Sequence, residues 1–368
     1  MFRASVWGGA FAMAAMAIST GVRAADTPAD DYVVPPPADV PLALAPRAAV
    51  SSPNGKLELG YGWNRFEFAP GVPGFDEAET HNLQAIGSFS MPVGRQFGVQ
   101  VDAGIAGSIA GTSLSDPALT GFSVKPRQRA YGIGAHAFWR DPDLGLVGAY
   151  GHFVRLEQDF SSGGATDRIN ADVFRLGVAG EYYQDSVSLE GFVGADFMSA
   201  TASGGASADA TFVTARAIAA YYPNPDTRVF AGLEYAFEDI TGLVGGEFLI
   251  NPDSPVATAA YLEGSFGRDT TTVEAGLRIY FAPIGKHLIA RHREDDPRAF
   301  LFDTLGAMSG CANSLMLGEI AGVGEETATT RTASDAAAAP GFSGTCGSGT
   351  APFGTEGGGD EYAPVTAE

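Results

Sequence analysis

The sequence predicts an all-β protein: an antiparallel transmembrane β-barrel of about 12 strands, with a Pro-rich N-terminal linker and a largely unstructured C-terminal tail. Three observations carry this. Segments of about ten residues repeatedly alternate apolar and polar side chains at period two. The 368 residues are only 18 % charged, yet hold 49 Gly, 24 Phe and 12 Tyr. Beyond the N-terminal leader, no apolar run reaches the roughly 18–20 residues of a membrane helix, and a chain that crosses a bilayer without one must close a barrel.

Charge and composition exclude other classes. With 43 acidic against 22 basic residues the formal net charge is −21, which disfavours contact with phosphate backbones, so no nucleic-acid partner is expected. An apolar fraction of 45 % is too high for wholesale disorder.

Residues 1–24 read as a cleaved signal peptide, with Arg3 as its basic start, an apolar stretch over 6–18 and Val22-Arg23-Ala24 before the cut. Residues 25–54 form a Pro/Ala-rich periplasmic linker; Pro35, Pro36, Pro37, Pro41, Pro46 and Pro53 cannot donate to a ladder. The barrel spans 55–281. Residues 282–368 form a periplasmic tail of low complexity towards its end, as in Gly357-Gly358-Gly359-Asp360-Glu361. The two cysteines, Cys311 and Cys346, both lie in that tail. An exported chain meets an oxidising compartment, so they are a candidate disulfide.

Within 55–281 the strands fall near 56–68, 81–92, 95–107, 128–140, 144–157, 170–184, 186–199, 211–222, 227–238, 242–250, 257–267 and 271–281. In the first, Leu57, Leu59, Tyr61 and Trp63 alternate with Lys56, Glu58, Gly60 and Gly62. The weakest is 242–250. Single-chain bacterial barrels keep an even strand number, and parity supports including it. Short connections follow every even-numbered strand, as periplasmic turns should. The intervening loops, 69–80, 108–127, 158–169 and 200–210, are longer; those near 239–241 and 268–270 are tight.

The last strand, Thr272-Val273-Glu274-Ala275-Gly276-Leu277-Arg278-Ile279-Tyr280-Phe281, resembles the final strand of Gram-negative outer-membrane β-barrels. The resemblance covers about 55–281. It implies an outer-membrane location, lipid and the barrel-assembly machinery as partners, and Tyr280 and Phe281 as the assembly signal. The chain departs from that pattern in carrying 87 residues after Phe281. The segment from Lys286 to Pro297 resembles a stretch of uncharacterised alphaproteobacterial barrel proteins, which brings no function with it.

No nucleophile or zinc-protease motif occurs, so neither an enzyme nor a cofactor is expected. Gly132-Ile133-Gly134 lies in an alternating strand without a following helix and fails as a dinucleotide loop. His136 faces the lumen as a wall residue. His287, His292, Glu294, Asp295 and Asp296 read either as a cation site or as a solvated turn. Asp296-Pro297 then caps a short helix with Phe300, Leu301, Leu305 and Met308 on its apolar face. Inward strand positions carry nine acids, Glu58, Asp102, Glu181, Glu190, Asp196, Glu234, Glu247, Glu263 and Glu274. Five bases face them: Lys56, Arg175, Arg216, Arg228 and Arg278. The function expected from this is a narrow porin-like channel whose acidic lumen passes small solutes; the alternative is a structural or surface-display barrel with a plugged lumen whose charges pair and whose tail anchors the envelope.

Overall fold

A computed structural model describes residues 47–67, 77–111, 114–115, 123–162, 165–203, 205, 207–237, 239–268, 270–281 and 284–309. The signal peptide, most of the linker, Cys311, Cys346 and the chain beyond residue 309 lie outside the described residues. Twelve strands make the wall: β1 (Asn54–Glu67), β2 (Glu77–Val93), β3 (Phe97–Gly111), β5 (Ser123–Asp141), β6 (Gly145–Ser162), β7 (Ala165–Gln184), β8 (Val187–Ala202), β9 (Ser207–Asn224), β10 (Thr227–Ala236), β11 (Asp239–Leu249), β12 (Ala257–Phe266) and β13 (Thr270–Tyr280). A two-residue strand, β4 (Leu114–Ser115), pairs with β5 above the wall, and a helix, α1 (Leu288–Glu294), follows the last strand. Every neighbouring pair is antiparallel. β1 pairs with β13 from Lys56↔Tyr280 to Phe66↔Thr270, which closes the barrel and leaves no free edge.

The alternation decides which face each residue takes. Leu59, Val101, Ile133, Val178, Val193, Leu233, Leu262 and Leu277 stand on the outside, while the residues between them turn inward. Aromatics bracket this apolar belt. Phe97, Tyr182, Tyr221, Phe248 and Phe281 lie near the short-turn end; Tyr61, Tyr131, Phe174, Phe197, Tyr235 and Phe266 lie towards the other. The two rings are about eight to ten residues apart along the strands. With strands tilted by about 40°, that is roughly 25 Å, the height of the apolar band of an outer-membrane barrel.

Two boundaries differ from the sequence-based expectation. The loops placed at 158–169 and 200–210 are mostly strand, since β6 and β7 run on to Ser162 and from Ala165, and β8 and β9 to Ala202 and from Ser207. Above the belt both faces are polar, so the hydrophobic period vanishes while the ladder continues. Cross-strand pairs such as Arg155–Asp172 (2.5 Å) and Arg168–Asp159 (2.6 Å) support that extension. The expected start of the tail at 282 also moves, because ordered chain continues to Ser309. α1 covers the short-turn end, where Leu288 is buried among Leu249, Ala257, Ala259 and Tyr280. The end of the linker packs beside it, with Val50 buried against Phe138 and Leu146.

Candidate functional site

The lumen holds the chemistry, and residues 296–309 occupy it. After α1 the chain turns into the barrel and climbs. Gln100 donates to the Pro297 carbonyl (3.1 Å). Phe300 then packs edge-on to Tyr150, ring centres 5.3 Å apart, and its backbone N–H donates to the Tyr150 hydroxyl. Leu301, Phe302, Leu305 and Met308 are buried in one cluster with Ile86, Val154, Leu156, Met198 and Phe212 of the wall. At the top, Gln158 donates to the Ser309 hydroxyl at 3.0 Å and Gln128 donates to it as well. Glycine makes room for this stopper. A Cβ on Gly104 would stand 2.8 Å from the Phe302 ring, and one on Gly132 would stand 3.3 Å from Leu301.

Each of the four arginines expected to face inward holds at least one carboxylate. Arg278 donates to three carboxylates, Glu58 (2.6 Å), Glu247 (2.6 Å) and Glu263 (2.8 Å), and its guanidinium lies 4.2 Å from the centre of the Tyr261 ring. Arg175 clasps Asp196 with two hydrogen bonds, Arg228 holds Glu190, and Arg216 grips both oxygens of Glu234. Asp102 sits 3.4 Å from His136 Nε2 and accepts from Gln100. Glu181 accepts from Tyr183 (2.5 Å), and Glu274 accepts from Tyr261 and Gln84. Lys56 is buried in the wall beneath them. Removing one partner of such a pair is costly, because it leaves a desolvated charge uncompensated.

The stopper joins this network. Asp303 pairs with Arg216, while Arg298 donates to Glu263 at 2.5 Å. A cavity of about 60 Å³ lies beside it, lined in part by Asn82, Gln84, Thr272 and Glu274, and a smaller one of about 20 Å³ lies by His136 and Glu190. That is room for a few waters.

Of the two readings of the segment from His287 to Asp296, the side chains do not gather as a cation site: His287 faces Asp226, His292 meets Tyr222 and Glu247, Glu294 takes Arg47 and Lys286, and Asp295 takes Lys286 and Ser51. Among the described residues no group of three metal-ligating side chains forms a site. Asp296-Pro297 starts no helix; among the residues after it only 305–309 coil. The facing of the last strand is the expected one: Tyr280 points inward and donates to Glu247 (2.5 Å), whereas Phe281 faces outward. Sequence reasoning missed Arg298 and Asp303. Their signal was a charged residue at each end of an apolar run, which burial obliges to find a partner.

The chain matches no family model and no curated protein. Among solved structures it is similar to the translocator domain of the autotransporter NalP from Neisseria meningitidis (12 % identity, 63 % of this chain and 89 % of that one, TM-score 0.48). It is also similar to the KdgM porin (12 % identity, 61 % and 99 %, TM-score 0.35) and to the outer membrane protease OmpT from Escherichia coli (10 % identity, 62 % and 97 %, TM-score 0.30). The likeness is one of barrel fold, and the activities of these proteins are theirs.

Proposed function

We propose that the protein is an outer-membrane barrel held shut by its own segment 296–309, and that it serves as an anchor and display scaffold. The observation that carries this is the filled lumen: a stopper buried against the wall and ion-paired to Arg216 and Glu263, beside cavities of only about 60 and 20 Å³. The membrane reading rests on the apolar belt between two aromatic rings and on strands that leave no free edge. Both ends of the wall lie with the short turns, the periplasmic side in bacterial barrels. A porin-like channel for small solutes, the other reading, requires the stopper to leave. Planar bilayers separate the two. The stoppered barrel is silent under an applied voltage. A steady wild-type conductance whose cation preference falls in Glu234→Gln or Glu274→Gln would establish the channel instead.

A further inference from the structure

We infer that the chain beyond Ser309 leaves the barrel through the long-loop mouth, so that residues 310–368 are presented on the outer face of the membrane. This rests on the stoppered-barrel reading. It replaces the periplasmic tail expected from the sequence with a transmembrane thread.

The direction of the stopper carries the inference. At the bottom, α1 is tied to the short turns: Ile289 donates to the Pro225 carbonyl (3.0 Å), Leu288 is buried under β11–β13, and Arg140 donates to the Asp295 carbonyl (2.9 Å). From there the contacts rise in chain order. Pro297 meets Gln100 near the start of β3, Phe300 meets Tyr150 and Phe192 higher up, and Phe302 meets Gly104 higher still. Ser309 meets Gln128 of β5 and Gln158 of β6, about thirteen residues from the short-turn ends of those strands. At about 3.3 Å per residue and a tilt of about 40°, that is roughly 33 Å along the axis, beyond an apolar band of about 25 Å.

A return path is closed. Cavities of about 60 and about 20 Å³ lie beside the stopper, and a second pass of polypeptide fits neither. The wall offers no lateral exit, since each strand is paired on both sides. The chain that continues from Ser309 therefore starts at the outer mouth and has only that mouth to leave by. The composition suits water there: residues 310–368 carry eight acids and one base among Gly, Ala, Ser and Thr.

The test uses the full chain in the outer membrane of living cells. A site for a specific protease is inserted between Gly357 and Gly358, and a control site between Asp253 and Ser254 in a short turn. Protease is added to intact cells, then to cells with a permeabilised outer membrane. The expected result is complete loss of the tail fragment in intact cells while the turn site is cut only after permeabilisation. A tail site cut only after permeabilisation, or resistant in both, overturns the inference. A parallel strain carries Cys311→Ser and Cys346→Ser together with Gln158→Cys and Ser309→Cys, whose native side chains touch at 3.0 Å. Oxidation links the pair when the stopper is seated. A formed link with a protected tail refutes the exit alone; an absent link refutes the stoppered barrel and the exit with it.

Discussion

Truncating Phe302 to alanine tests the stopper at its best-packed point. The ring is 6 % exposed and lies over Gly104, where even a methyl group on the wall would be crowded. Phe302→Ala removes that contact and leaves a void the wall cannot fill, because β3 is held in register on both sides. Large-to-small changes of this kind cost about 3–5 kcal/mol. Since about 1.4 kcal/mol is a factor of ten, the unseated fraction should rise by about two to three orders of magnitude. Hydrogen exchange reads this directly. Leu305 and Met308 donate their amides to Phe302 and Thr304 inside the stopper, and these bonds open only when it leaves. Their exchange should quicken by about a hundredfold to a thousandfold, with the wall amides of β6 to β9 unchanged. If stopper and wall amides accelerate together, the stopper is not a separate unit and the reasoning fails. Unchanged exchange at Leu305 and Met308 would also refute it.

Three further outcomes follow from the same structure. Asp296 is buried at the foot of the stopper, and its Oδ1 has no hydrogen-bond partner among the described residues, so its charge is costly to hold there. Asp296→Asn should strengthen seating by about 1–3 kcal/mol, measured by slower stopper exchange. Arg278→Met strips the shared cation from Glu58, Glu247 and Glu263 and should destabilise the barrel by about 3–5 kcal/mol in denaturant titration, with part recovered by adding Glu247→Gln. Leu277→Arg places a cation on the lipid face and should cost roughly 2–4 kcal/mol of folded yield. Gly276→Ser is no mild control for it, because a Cβ there would meet the Leu59 carbonyl and stand 2.7 Å from the Tyr261 ring.

The wall was legible because lipid imposes one rule on every strand. Leu277, Leu262 and Val193 must face out, so their neighbours Arg278, Glu263 and Phe192 must face in. Even the weak run at 242–250 corresponds to a full strand, Asp239–Leu249. The strand extensions above the belt were not legible, because Arg155, Asp159, Arg168 and Asp172 are polar whichever way they point. The stopper was hidden for a different reason. Asp296-Pro297 before an apolar run looks like a helix start, and nothing local says otherwise. What holds that run is distant: Gln100 reaches Pro297 across 197 positions, and Gln158 reaches Ser309 across 151. The surplus of inward acids was readable, whereas its partial neutralisation by Arg298 depends on a segment counted as outside the barrel.

The ring of strands encircles its own chain, and that constrains the order in which the molecule can be made. β1 meets β13 through residues such as Glu58 and Arg278, 220 positions apart, so the ring closes only once the last strand has been delivered. Everything that later fills the ring is synthesised after that strand. Two routes exist: the seam stays open until the segment after Phe281 has been laid inside, or the closed ring is threaded from below by a loose end. Phe300, Leu301 and Phe302 would have to slip past Tyr150, Phe192 and Arg216 on the second route. Closure around a pre-laid segment avoids that squeeze and places the slow step of biogenesis at the β1–β13 seam.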